Sequence, residues 1–191
     1  MEELKKRIIK DGTVIGNNIV KVDSFLNHQV DTSLLEQMAH EFYELFKNKK
    51  VNKILTIESS GISVAAYVAK YFNYCPLVFA KKSVPNTMND DFYYFDARSF
   101  TKGTVNRIIV SKKYINKDDN ILIIDDFLAH GEALKALTHI VEEGNAKVEG
   151  IGIVISKNFQ KGYDTIKSKG YDLKVLAPIK SIENGIIEFE E

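Results

Sequence analysis

The chain has 191 residues, and its 26 Lys plus Arg balance 26 Asp plus Glu, which argues against a broad nucleic-acid footprint or an anionic-membrane surface. Apolar residues make up 45% and charged residues 27%, ordinary for a soluble globular chain long enough to bury a sizeable core in one domain. Cys75 is the single cysteine, which excludes an intrachain disulfide. The charged N-terminus and the lack of an apolar run near the roughly 20 residues of a membrane span suit a cytoplasmic protein with no membrane partner.

In chain order, residues 2–10 read as a short helix with Leu4, Ile8 and Ile9 on one side and Gly12 as a stop. Val14-Ile15 and Ile19 to Val22 read as strands joined by a Gly16-Asn17-Asn18 turn. Residues 23–29 mix polar groups with Phe25 and Leu26, and periodicity assigns them no role. Asp31 caps a helix from Thr32 to about Asn48, whose apolar face holds positions 34, 35, 38, 42, 45 and 46.

From Val51 the pattern alternates between strands and helices. Val51 to Ile57 is a strand, ESSG (58–61) a polar loop, Ile62 to Phe72 an Ala-rich helix, and Pro76 to Ala80 the next strand. Such βα units with short loops predict a parallel sheet covered by helices. Residues 81–107 interrupt the rhythm, being polar, aromatic and too long for an ordinary connection. Alternation at Tyr93, Phe95, Ala97 and Ser99, and again over Val105 to Val110, predicts a long hairpin. A structural edge hairpin and a functional flap both fit that composition. Lys81 and Lys82 directly follow a strand, a better place for binding an anion than scattered surface lysines.

The stretch Ile121 to Ala133, ILIIDDFLAHGEA, carries most of the chemistry. Four aliphatic residues in a row predict a strand buried on both faces, with Asp125 and Asp126 where it ends. Gly131 sits in the loop that follows. Apolar positions 133, 134, 137, 140 and 141 then give a helix stripe. Loop amides at a helix N-terminus hold a phosphate by geometry and dipole. The two carboxylates are placed to bind hydroxyls, a metal ion, or both, although a solvated strand end has the same pattern. ESSG is a second small polar turn at the same sheet edge, where ligands of open α/β sheets bind.

Further along, Val148 to Ser156 is another buried strand with Lys157 at its carboxyl end. Phe159 to Lys169 reads as a helix weakened by Gly162, and Leu173 to Leu176 as the last sheet strand. Residues from Pro178 onward suit a turn and short strand. The histidines at 28, 40, 130 and 139 lack metal-ligand spacing. Neither G-x-S-x-G, G-x-G-x-x-G nor G-K-[ST] occurs, so hydrolase-elbow, dinucleotide and P-loop readings lack their parts.

Ile121 to Ala133 resembles the phosphoribosyl-pyrophosphate (PRPP) motif of type I phosphoribosyltransferases: a hydrophobic strand, two acids, and a small-residue loop at a helix start. Many members have Thr or Ser where Ala129, His130 and Ala133 stand, which leaves more of the phosphate binding to backbone amides here. KVDSFLNHQVD, TIESSGI, ILIIDDFLAHGEA and GIGIVISK are similar to bacterial xanthine phosphoribosyltransferases, so the resemblance extends over nearly the whole chain.

That resemblance implies an α/β fold with a parallel five-stranded sheet flanked by helices. It implies a single domain over 1–191, with a hood from about 1–30 and 178–191 and a flap over about 81–107. The activity implied is xanthine plus PRPP giving xanthosine 5′-monophosphate and pyrophosphate, a purine-salvage reaction using Mg²⁺, in a homodimer. It assigns Ala129, His130, Gly131, Glu132 and Ala133 to the 5′-phosphate, and Asp125 and Asp126 to the ribose hydroxyls. Mg²⁺ is held through PRPP, with the two aspartates as candidate ligands. It assigns Ser59, Ser60, Gly61 and Lys81 to pyrophosphate, and Val20, Asn27 and Lys157 to the base, with Phe127 as a stacking neighbour. Two alternatives stay open: another purine, guanine or hypoxanthine, or a PRPP-sensing regulatory module without turnover. Zero net charge and no legible helix-turn-helix ahead of the sheet favour the enzyme.

Overall fold

A computed structural model describes residues 1–83, 91–98 and 105–190 of the chain. The aliphatic runs become the middle of one sheet. β3 (Lys53–Ile57) is buried at every position, and so are β7 (Asn120–Leu128) from Ile121 to Asp125 and β8 (Lys147–Lys157) from Glu149 to Ser156. Strands covered on both faces can only lie inside a sheet. β4 (Leu77–Ala80) pairs with β3 on one side, while β9 (Leu173–Glu183) and β10 (Ile186–Phe189) complete the other, giving the order β10-β9-β8-β7-β3-β4. Five of these strands are parallel, as expected. β10 adds a sixth, antiparallel to β9, because β9 runs through Pro178 where the sequence suggested a stop at Leu176.

Alternation along β7 divides the core. Leu122 and Ile124 face α2 (Thr32–Phe46) and α3 (Gly61–Tyr71), in a cluster that also takes Leu4 and Ile8 from α1 (Glu2–Asp11). Ile121 and Ile123 face α4 (Glu132–Glu143) and α5 (Gly162–Lys167). This is the period-two geometry of a strand sandwiched between helix layers. Asp31 caps α2 as expected, its Oδ1 accepting from the Ser33 and Leu34 amides at 3.1 Å. Phe42 and Phe46 reach the sheet because β8 has glycines beneath them, where a Cβ would come within 2.4–2.8 Å of the rings. Leu45, expected on the same face, is 39% exposed.

Residues 23–29 do have structure. Asp23–Asn27 form one π-helical turn that drives Phe25 and Leu26 fully into the core. It follows the small hairpin of β1 (Thr13–Ile15) and β2 (Ile19–Lys21). The chain ends are sewn together: the Met1 amino group donates to the Leu176 carbonyl at 2.7 Å, and Lys5 Nζ to the Glu190 carbonyl at 3.3 Å. The helix expected over 159–169 contracts to α5, six residues beginning at Gly162.

The interrupting segment forms an antiparallel pair, β5 (Phe92–Arg98) with β6 (Val105–Ser111), in register from Phe92↔Ser111 to Arg98↔Val105. Its stem is part of the second core. Ala97, Ile108 and Val110 are buried there, and the Phe95 ring lies 5.3 Å from His139 on α4. Residues 84–90 and 99–104, on which part of the flap expectation falls, lie outside the described residues.

Candidate active site

Strand order reverses between β3 and β7, since β4 lies to one side of β3 and the later strands continue beyond β7. The two strands pair only over Lys53–Leu55 with Ile121–Ile123 and then separate. A crevice opens beyond that point, at the switch position where open α/β sheets take ligands.

Asp125 and Asp126 stand at this opening, but not at the strand end as the sequence suggested. β7 continues on β8 as far as Leu128, with Asp125 opposite Ile153 and Leu128 opposite Ser156. The reason is that one side of β7 loses its partner while the other keeps it. Asp125 is consequently buried, at 3% exposure, and Asp126 is half-buried. Burial first, and then the neighbouring Asp126 carboxylate, push the Asp125 carboxyl well above the usual carboxylate range, while the nearby Lys82 ammonium pulls weakly the other way. Asp125 Oδ1 accepts from the Asp126 amide, and Asp126 Oδ1 from the Phe127 amide, both at 3.0 Å.

ESSG faces the acids. Ser60 Oγ donates a short hydrogen bond to Asp126 Oδ2, which joins the ESSG turn directly to β7. Gly61 opens α3 against Asp125: a Cβ there would lie 2.4 Å from Thr56 Oγ1 and 3.1 Å from Asp125 Oδ1. Thr56 is fully buried, and its hydroxyl has no hydrogen-bond partner among the described residues. Ser59 is exposed, and the Glu58–Ser59 peptide is cis. Lys81 leaves β4 half-buried and is tied by its main chain to Ile109 of β6.

Ala129 to Ala133 turn from β7 into α4. Gly131 supplies the left-handed N-cap, with φ +83°, a conformation that costs glycine little. The first-turn amides of any helix lack intrahelical acceptors and carry the positive end of the dipole, so this turn is an amide cradle suited to an anion. His130 is exposed, and Glu132 pairs with Lys135 at 2.6 Å. A cavity of about 510 Å³ lies alongside, lined by His130, Glu132, Lys135 and Lys161 among others.

Lys157 lies at the carboxyl end of β8, half-buried. Its Nζ sits 5.9 Å from the Phe127 ring centroid and donates to the Asn18 carbonyl at 2.6 Å. Partial burial lowers its pKa from the ordinary lysine value. Val20 is buried in the first core cluster, against which Phe127 packs. Asn27 closes the π-helical turn with its side chain exposed. Sequence reasoning missed Thr56, Gly162 and the carbonyl of Asn18. A glycine early in a weak helix was the one available signal, and it reads equally as a simple helix breaker.

A largely parallel open sheet with an amide cradle, an acidic pair and a second small turn at its switch point makes an α/β protein whose groups suit a phosphorylated, hydroxyl-bearing ligand. The phosphoribosyl transferase domain family matches residues 21–190, and the chain belongs to that family. It is 53% identical to a xanthine phosphoribosyltransferase of Ruminiclostridium cellulolyticum over 191 residues, covering 100% of both chains. It is 51% identical to one of Clostridium novyi, again over 100% of both. Among solved structures, adenine phosphoribosyltransferase of Rhodothermus marinus superposes with a TM-score of 0.76 at 18% identity, over 94% of this chain and 100% of that one. The Trypanosoma brucei adenine enzyme, solved with AMP, pyrophosphate and ribose-5-phosphate, also gives 0.76, at 16% identity over 92% and 79%. At those identities the two structures speak for the fold alone. Among the described residues, no helix is long and apolar enough to cross a membrane.

Proposed function

We propose that the chain transfers the phosphoribosyl group of PRPP to xanthine, giving xanthosine 5′-monophosphate and pyrophosphate. The observation that carries this reading is the Ser60–Asp126 hydrogen bond. It ties a small polar turn to the acidic pair of β7, the strand that leads into the helix-start turn at 129–133, and this suits a ligand with a phosphate at one end and a pyrophosphate at the other. The choice of xanthine is supported by the relatives' names, at about half-identity over full length.

The purine nitrogen bonds to ribose C1 as the C1–O bond to pyrophosphate breaks. Negative charge grows on the leaving group and positive character on the sugar, so positioning and fixed donors matter more than a nucleophile. In this reading the amides of Ala129 to Ala133 hold the 5′-phosphate, and the Asp125 and Asp126 carboxyls accept from the ribose hydroxyls. Ser59, Ser60, Gly61 and Lys81 hold the pyrophosphate. Phe127 stacks on the base beside Val20, Lys157 donates to its 6-oxo group, and Asn27 meets position 2.

Mg²⁺ fits the residues present. The described residues contain no group of three or more ligating side chains for a metal ion, whereas Mg²⁺ commonly takes one or two carboxylates plus substrate phosphates. Asp126, half-buried beside the buried Asp125, offers that oxygen set. When bound, Mg²⁺ would neutralise charge on the leaving pyrophosphate.

The decisive experiment offers purified protein PRPP and Mg²⁺ with xanthine, guanine, hypoxanthine, adenine and uracil separately. Xanthosine monophosphate should form fastest. Faster turnover of guanine or hypoxanthine would move the assignment to another oxopurine, and binding of PRPP without turnover of any base would make the chain a sensor. The family resemblance also carries a homodimer and a cytoplasmic location, which light scattering and cell fractionation test.

A further inference from the structure

Glu58 directly follows β3 as the first residue of the ESSG turn, half-buried, and the transfer reaction as described gives it no part. A free carboxylate there would repel a pyrophosphate, so its partner matters. Glu58 Oε1 accepts from the main-chain amide of Lys82 at 2.6 Å, and the Glu58 amide donates to the Ala80 carbonyl at 3.0 Å. Between these two points Lys81 exchanges both main-chain bonds with Ile109, at 3.0 and 2.9 Å. The chain leaving β4 is therefore held from one side by the hairpin stem and from the other by Glu58.

We propose that Glu58 is a positioning residue, whose carboxylate clasps the Lys82 amide and so fixes Lys81 and Lys82 against the ESSG turn on the pyrophosphate side. A hydrogen bond from a neutral amide to a carboxylate is stronger than one to a neutral acceptor, and it engages Glu58 Oε1 on the Lys82 side. The clasp closes a ring through Glu58, Ala80 and Lys82, in which the Glu58 side chain is one link. Any shift of the ESSG turn thereby shifts both lysines, and the donors on the two turns reach a pyrophosphate as one unit. The ligand in this inference rests on the PRPP reading above, whereas the clasp itself does not.

The test compares Glu58→Ala with Glu58→Gln, which keeps an acceptor but loses the charge. Hydrogen exchange in the peptide covering 81–83, without ligand, reads the clasp directly. The Lys82 amide should exchange about tenfold faster in Glu58→Ala and at an intermediate rate in Glu58→Gln. In steady-state assays Glu58→Ala should raise KM for PRPP about tenfold with KM for xanthine within about twofold, and Glu58→Gln should recover most of the loss. Unchanged exchange in Glu58→Ala overturns the clasp whatever the kinetics. Equal rises in both KM values overturn the positioning role. Should Glu58→Ala not fold, Glu58→Leu, which also lacks an acceptor, takes its place: unchanged exchange there overturns the clasp, and faster exchange with a raised KM for PRPP supports it. If wild-type protein turns over no base, the PRPP reading fails while the exchange arm still judges the clasp.

Discussion

Gly162 braces Ala129. Its amide donates to the Ala129 carbonyl at 3.1 Å, and a Cβ at 162 would sit 2.4 Å from that oxygen and 2.7 Å from the Gly131 nitrogen. The first turn of α5 thus lies directly on the backbone of the amide cradle, and only a residue without a side chain permits that approach.

Gly162→Ala should therefore displace the cradle. Both crowded atoms are main chain, so nothing flexible can give way, and a stability loss of about 1–3 kcal/mol is expected from overpacking. Misplaced amides should also raise KM for PRPP by roughly tenfold or more. Thermal melts beside PRPP titrations check the two effects, and wild-type PRPP kinetics in the variant would dismiss the brace.

This contact also marks where the sequence stops being legible. The sheet was readable because runs such as Ile121–Ile124 permit only a doubly covered strand, and the Asp31 cap because a side chain near a helix start has few other uses. Motif chemistry located the acids and both turns. What the sequence hid are consequences of how elements meet. The sequence pattern puts Asp125 and Asp126 where the strand ends, whereas β8 carries the ladder past them. Phe25 and Leu26 gave no period because a single π-helical turn has none to show. Glycine reads as a breaker at 162, since its role is set by the carbonyl of a residue 33 positions earlier.

Asp125 should weaken the fold while serving the site. Its folded-state pKa lies above the unfolded value, so ionising it in the native protein costs stability. That cost is absent below the unfolded carboxyl value of about 3.9, grows as pH rises, and is complete above the raised folded value. Asp125→Asn has no proton to lose. Its Tm should match wild type in acid and exceed it at neutral pH, with the gap opening across that window. Turnover should nevertheless fall more than about tenfold, roughly 1.4 kcal/mol in the barrier. Melts from pH 3 to pH 8 check the first part, and a lower Tm than wild type at neutral pH would refute the burial argument.

Gly61 and Thr56 should behave as a coupled pair. Gly61→Ala places a methyl 2.4 Å from Thr56 Oγ1 and 3.1 Å from Asp125 Oδ1, so it should cost about 1–3 kcal/mol of stability and disturb the acid. Thr56→Ala removes the crowding atom and a buried hydroxyl that has no described partner. The double variant should recover at least about 0.5 kcal/mol relative to the sum of the singles. Denaturant melts on all four proteins measure this, and additivity would mean that the two sites do not meet.

Base choice tests the crevice most sharply. Lys157 Nζ is already placed beside Phe127 by its bond to the Asn18 carbonyl, and its stem is half-buried. An ammonium only donates, so it suits the 6-oxo group shared by xanthine and guanine and opposes adenine's 6-amino donor. It does not separate the two oxopurines, which differ at position 2. Asn27 offers an amide that donates to a 2-oxo group, and its exposed position leaves it free to turn and accept from a 2-amino group instead. Discrimination through Asn27 should therefore be partial. Lys157→Ala should lower kcat/KM for both bases by roughly 1.5–3 kcal/mol, the scale of a lost charged hydrogen bond. Its Tm should change less, because the Asn18 carbonyl lies in an exposed turn and can take water instead. Asn27→Ala should lower xanthine use more than guanine use. Measuring kcat/KM for both bases in both variants separates the roles, and an equal loss for the two bases in Asn27→Ala would move position-2 recognition to another residue.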